Sequence, residues 1–154
     1  MNVEVISKPA FSVIGKEGST ADGEGFVQGL WAEANAHFDE VAHLAKRDEN
    51  GVPVGFWGAM TDCSRGFRPW DDGFSRGLYL AGVECADDAA APEGWVKWRI
   101  PGFEYLRAEY SSMTVFADML RYLAEHRMEL AGAIQDFTDP KTGQNYMLFP
   151  TKRL

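Results

Sequence analysis

Cysteine is scarce in this sequence. Cys63 and Cys85 are the only two in 154 residues, and their spacing matches neither a disulfide framework nor a zinc-type site. Crosslinks and structural metals are therefore not expected, and a reducing cytoplasm is the expected compartment. Histidine is scarce too. His37, His43 and His126 fall on helical stretches without paired ligand spacing, which favours solvent-facing positions over metal ligation. No apolar run approaches the length of a membrane span, and Met1 to Val5 lacks the basic start of a signal peptide, so neither a membrane association nor export is expected. Positive charge is the third shortage, with 15 Lys and Arg against 23 Asp and Glu and a formal net charge of -8. Such a surface opposes a phosphate backbone, and no helix-turn-helix pattern is left over, so direct nucleic-acid binding is not expected. Gly23-x-Gly25 is too short for a phosphate loop. Cys63-Ser64 lies in a Gly/Pro-rich loop with no base assigned beside it. The sequence implies no cofactor.

What the chain does have is internal repetition. Pro9, Phe11, Glu17 and Ser19 recur, 92 positions later and without a gap, as Pro101, Phe103, Glu109 and Ser111. Val13-Ile14 matches Tyr105-Leu106 in apolar character. A repeat of about half the chain is too long for a solenoid unit and implies one domain of two lobes related by pseudo-symmetry. The 45% hydrophobic content supports a single compact domain with a sizeable core. Clefts between structural units are common small-molecule sites.

The element pattern agrees with a duplication. Val3 to Lys16 alternates around Pro9, as a strand interrupted at an edge or bulge does. Phe26, Val27, Leu30, Trp31, Ala34, Phe38, Val41 and Leu44 predict one long amphipathic helix from about Gly25 to Lys46, with Asp22 or Glu24 favouring its start. Val54 to Met60 and Gly77 to Cys85 are expected strands, separated by a loop around Trp70. The acidic, Ala-rich stretch 87–94 with Pro92 is the expected connector. Trp95 to Tyr110 supplies one or two strands, Val115 to about Arg127 a helix, and Gly132 to Phe137 and Tyr146 to Thr151 the closing strands, joined by a turn at Asp139-Pro140-Lys141-Thr142-Gly143. Each lobe, about 1–86 and about 95–154, is thus β-α-β-β. The expected class is α+β, with an antiparallel sheet, two helices on one face and a central ligand cleft. The opposite, concave face is left either to bind something or to be covered by loops.

Leu78-Tyr79-Leu80-Ala81-Gly82-Val83-Glu84, then Pro92-x-Gly94-Trp95 with Ile100-Pro101-Gly102, then Tyr146-Met147-Leu148-Phe149-Pro150, resemble in content and order the GyrI-like domain. That domain is also the effector-binding module of AraC-type and MerR-type multidrug regulators in transcription regulation. The resemblance runs over nearly the whole chain and implies a cytoplasmic, bacterial, stand-alone member with a SOUL-like fold. It further implies a cavity for flat, hydrophobic and often cationic compounds, with aromatic walls and a buried carboxylate, and a regulator or gyrase as protein partner. Some relatives hydrolyse cyclopropane-containing electrophiles. Where the family carries a glutamate in the penultimate strand, this chain has Ile134-Gln135-Asp136-Phe137. Gln135 is no acid, and Asp136 falls on the other face of a regular strand.

Aromatics make up 13% of the chain, and aromatic faces around one cavity attract a delocalised cation by roughly 0.5–2 kcal/mol each. Trp57, flanked by glycines that permit close approach, is the first pocket candidate. Trp70 is a candidate lid, and Tyr79, Trp98 and Tyr105 are candidate walls. Gln135 and Phe137 occupy the penultimate strand. Glu84 is the candidate carboxylate, since an unpaired charge inside an apolar strand is costly. Tyr79 and Glu84 are five residues apart and face opposite sides unless Gly82 marks a bulge. The sequence therefore leads to small-molecule binding or sequestration, with hydrolysis as the alternative disfavoured by the amide at Gln135.

Overall fold

The computed structural model describes residues 2–154. Pro9 divides the N-terminal alternating stretch into β1 (Val3–Lys8) and β2 (Phe11–Ser19), and Pro101 divides its counterpart into β5 (Val96–Ile100) and β6 (Phe103–Glu109). Between them come α1 (Phe26–Ala36), β3 (Phe56–Thr61), a distorted single turn α2 (Asp71–Phe74) and β4 (Leu78–Cys85). After β6 follow α3 (Val115–Glu125), β7 (Gln135–Thr138) and β8 (Asn145–Arg153). All eight strands form one antiparallel sheet, in the order β1-β6-β8-β7-β3-β4-β2-β5.

That order is palindromic under exchange of β1–β4 with β5–β8, which is the pseudo-two-fold of a duplicated unit. The pairing registers agree with it. Lys8 lies opposite Phe103 in β1·β6, and its counterpart Ile100 lies opposite Phe11 in β2·β5. The edge strands are exchanged: β1 precedes the first β-α-β-β unit but pairs with the second, and β5 does the converse. Each half is therefore closed by the strand that leads into the other unit.

Both faces of the sheet are packed. On one face α1 covers Ile14, Tyr79, Ala81 and Val83, and α3 covers Leu106, Ala108, Ile134, Met147 and Phe149 through Val115, Met119 and Leu123. On the other, the curved sheet closes on itself around Phe11, Val13, Trp57, Leu80, Trp98, Ile100, Phe103, Tyr105 and Leu148. Of the two fates open to the face without helices, it is covered. The loop after β3 seals it with Phe67, whose ring meets Trp98 edge to face. That loop is built on Asp62, only 2% exposed. Its carboxylate accepts from the Gly66 and Arg68 amides at 2.8 and 3.2 Å and from the Thr61 hydroxyl at 3.1 Å. Burial alone would raise its pKa, but these donors together hold it below the usual carboxylate range.

The long first helix is shorter than its periodicity predicts. It stops at Ala36, and two 3₁₀ turns follow at Phe38–Glu40 and Ala42–Leu44. Phe38, Val41 and Leu44 recur every three residues, the 3₁₀ period. The tighter winding lays them on the sheet and lets Ala45 bridge to Cys85, which a continuing α-helix would carry past. Ahead of α1, Asp22 does not cap that helix. It accepts from the Ser19 amide at 2.8 Å in a capping box on a separate 3₁₀ turn.

Gly82 marks no bulge, since the β2·β4 and β3·β4 registers run through it without a shift. Tyr79 and Glu84 consequently stand on opposite faces. Gly82 pairs directly with Gly15. A Cβ on Gly15 would fall 2.3 Å from the Ala81 carbonyl oxygen, and one on Gly82 would fall 2.1 Å from that of Ile14. The half-sheet curls where neither strand has a side chain. Gly82→Ala should lower stability by about 3 kcal/mol, the upper range for forcing atoms into packed space. Chemical denaturation measures it, and a loss below a few tenths would show that the curl tolerates a side chain.

Candidate ligand-binding cleft

β3 and β7 meet at the middle of the sheet through three residue pairs: Phe56–Thr138, Trp57–Phe137 and Gly58–Asp136. The pseudo-symmetry brings Ala81 of β4 onto Met147 of β8, and hence their ladder partners Gly58 and Asp136 onto one another. Since Gly58 and Asp136 also pair across the seam, the pseudo-two-fold runs through this one pair. Here the two halves differ sharply in chemistry, with a bare backbone on one strand and a carboxylate on the other.

The missing side chain at Gly58 is filled from β4. Tyr79 lies across it so closely that a Cβ on Gly58 would sit 1.9 Å from the phenolic oxygen. The Tyr79 hydroxyl donates to Asp136 Oδ2 at 3.2 Å and accepts from Trp31 Nε1, on α1, at 3.0 Å. Burial raises the Asp136 pKa from 3.8 to about 6, and the Tyr79 hydrogen bond opposes that rise only in part. The Tyr79 phenol is raised well above its ordinary range, first by burial and then by the charge of Asp136. No cationic side chain of the described residues contributes to the Asp136 shift.

Two cavities open on this helical face. One, of about 480 Å³, is bounded by Val27, Gln28 and Trp31 of α1, by Gly58, Tyr79 and Asp136 on its floor, and by Tyr110, Phe137, Thr138, Asn145 and Tyr146. The other, of about 180 Å³, is lined by Met60, Pro69, Trp70, Phe74, Phe116, Ile134 and Met147, all apolar apart from the Trp70 indole N–H, which is occupied by the Leu78 carbonyl at 3.0 Å.

Of the residues singled out from sequence, Tyr79 and Phe137 line the larger cavity and Trp70 the smaller. The other five lie elsewhere. Trp57, 2% exposed, belongs to the core of the opposite face, where its indole donates to Glu84 Oε1 at 3.1 Å. Its flanking glycines serve other rings: a Cβ on Gly55 would strike Phe137, and Gly58 admits Tyr79. Glu84 is paired with Lys8 at 3.1 Å, so the apolar strand does not leave it free for a ligand. Lys8 Nζ also lies 4.5 Å from the Phe11 ring centre. Trp98 donates to Glu17, which is itself held by Arg65 at 2.7 Å. Tyr105 is fully buried in the same core. Gln135, also fully buried, spends its amide on backbone, accepting from Met60 N at 3.1 Å and donating to the Ala133 carbonyl at 3.0 Å.

Asp136 and Trp31 are the residues that sequence reasoning passed over. Alternation does put Asp136 opposite Gln135, as expected. It is Asp136, however, that faces the cleft. A signal was present in the pairing of a glycine with an aspartate at the symmetry centre, but only the ladder registers make it visible. Trp31 looks like an ordinary member of a helical stripe until its indole is seen to reach Tyr79. Among the described residues no cluster of His, Cys, Asp and Glu is arranged to hold a metal, and no helix is long and apolar enough to cross a membrane.

No protein-family model and no curated protein matches the sequence. Solved structures do. SAV2435 bound to tetraphenylphosphonium superposes with a TM-score of 0.68 over 99% of this chain and 94% of that one, at 12% identity. A putative bacterial transcription regulation protein from Staphylococcus aureus MU50 gives 0.66 at 10% identity over 99% of both chains. The C-terminal domain of EcmrR gives 0.63 at 11% identity, over 99% of this chain and 98% of that one. At these identities the likeness is one of fold, and the chain has the α+β fold of the GyrI-like domain.

Asp136 makes the stability of the fold depend on pH. Its raised pKa means that the native state holds the proton more tightly than the unfolded chain. The stability so gained is complete below about pH 4 and is lost as the pH rises through about 6. Thermal unfolding followed from pH 4 to pH 7 should show this decline in the wild type and a flatter profile in Asp136→Asn. Equal slopes in the two proteins would show that Asp136 is not the titrating group.

Proposed function

We propose that this chain binds a hydrophobic, cationic small molecule over the β3–β7 seam. Asp136 meets the charge, and Trp31, Tyr79 and Trp70 supply aromatic faces. The observation that carries the reading is a carboxylate in an aromatic cleft with no cation of its own. The other buried or half-buried carboxylates near aromatic rings are already paired, Glu84 with Lys8 and Glu17 with Arg65. Among the described residues Asp136 has only the Tyr79 hydroxyl.

A desolvated carboxylate attracts a delocalised cation strongly because little water competes for either charge. The ligand removes the cost that burial imposes on the ionised form. Aromatic faces add roughly 0.5–2 kcal/mol each and discriminate little between cations, so a range of flat compounds fits. The presence of tetraphenylphosphonium in SAV2435, whose fold this chain shares, supports carrying this ligand class over. Sensing or sequestering such a compound is the role we assign, with a regulator as the partner class we propose.

A second reading is hydrolysis of a strained electrophile in the same cleft. It is favoured by one feature of the cleft: burial pushes the Asp136 carboxyl up to about 6, where a carboxyl both takes and gives a proton near neutrality. Gln135 faces away, so its amide says nothing about acid–base chemistry in the cleft.

Titration with tetraphenylphosphonium, read by tryptophan fluorescence, tests the binding reading. Affinity should rise as the pH is taken from 5 to 7, because the cation binds the ionised Asp136. Asp136→Asn should weaken binding about tenfold or more and remove the pH dependence. Tight, pH-independent binding that survives in Asp136→Asn would move the site elsewhere. Ring-opened product appearing over several turnovers from a cyclopropane electrophile, and lost in Asp136→Asn, would favour the second reading.

A further inference from the structure

The two cavities are neighbours by construction. β3 contributes Gly58 to the larger and Met60 to the smaller, Asp136 of β7 and Ile134 just ahead of that strand divide likewise, and β8 contributes Asn145 and Met147. In each case the two residues are separated by one position, so they share a face about 7 Å apart along the strand. Three adjacent strands taking the same step place the cavities side by side on one floor. Their chemistry is segregated. The polar groups, Asp136 and Tyr79 with Gln28, Thr138 and Asn145, belong to the larger cavity. The smaller has no polar side chain with an unused hydrogen-bonding group.

From this segregation we propose that the cleft is built for an amphiphilic cation, a compact cationic head with an alkyl or other slender apolar tail. The head lies over the Gly58–Asp136 pair, and the tail runs along the strands past Met60 into the pocket closed by Trp70, Phe74 and Phe116. The proposal rests on the cation-binding reading and adds a ligand class to it. An apolar cavity of this kind offers water no partners and gains from being filled. Met60 stands at the divide, and its unbranched thioether can move aside without breaking a polar contact. The outer wall is irregular. Asp72, Gly73 and Phe74 take consecutive left-handed conformations, and the turn is held by the exposed Arg76–Asp72 pair. Phe74 meets Phe116 of α3 edge to face at 5.4 Å, which closes the pocket from above.

A series of alkyltrimethylammonium ions from butyl through decyl, titrated into the wild-type protein, tests the tail compartment. Each added methylene buried there should tighten binding about fourfold, with a plateau once the tail outgrows about 180 Å³. Ile134→Phe, which fills the pocket from the floor, should bring the plateau to a shorter chain and leave the affinity for tetramethylammonium unchanged. Phe74→Ala, which opens the wall, should flatten the increments and serves if the filled variant is unstable. Chain-length independence, or increments unmoved in both variants, overturns the proposal while leaving head-group binding intact. If no member of the series and no tetraphenylphosphonium binds, the cation-binding reading itself has failed.

Discussion

The short ladder between β3 and β7 is the constraint on which the rest of the molecule depends. On the helical face each half of the sheet has its own helix and its own apolar packing, and within the sheet itself three residue pairs join the halves at the middle. Neither helix lies over that line, because α1 packs on β2 and β4 while α3 packs on β6 and its neighbours. A seam of two strands without a covering helix leaves a furrow, and the residues at its floor decide what the furrow can hold. Gly58 removes a side chain there and Asp136 adds a charged one. Tyr79 spans the gap, so a pairing that holds the sheet together also presents a carboxylate to the cleft.

Burial of charge is handled differently on the two faces. On the face without helices, Glu84 and Glu17 lie against tryptophans, and each meets a cation of the chain itself, Lys8 or Arg65. Those arrangements resemble ligand sites in composition, with a carboxylate, an indole and a positive charge, but the positive charge is internal and the sites are closed. On the helical face the third such carboxylate has the aromatic company without an internal cation among the described residues. The cost of keeping it there appears as a raised pKa, a cost that a bound cation would offset.

Much of the architecture was legible from residue order. The matched series from Pro9 and from Pro101 indicated a duplicated unit, and period-two alternation located the strands to within a few residues. Other features were not legible because their cause lies outside the local sequence. Phe38, Val41 and Leu44 extend the apolar stripe of α1, but the bridge from Ala45 to Cys85 forces the chain into 3₁₀ turns. Trp57 between glycines looks like a ligand wall, yet those glycines make room for Phe137 and Tyr79. The exchange of β1 and β5 between halves leaves no mark in either strand alone.

By itself the sequence determined the class of the fold, the internal repeat, and the fact that Gln135 and Asp136 stand on opposite faces of a regular strand. Those follow from periodicity, which is a property of the backbone and needs no partner. Only the tertiary structure decided which face carries the cleft. That choice depends on where α1 and α3 pack, on the curl allowed by Gly15 and Gly82, and on which carboxylates find an internal cation. All three are long-range contacts between residues far apart in the chain. Alternation can say that two side chains part company, but it cannot say which of them meets a ligand.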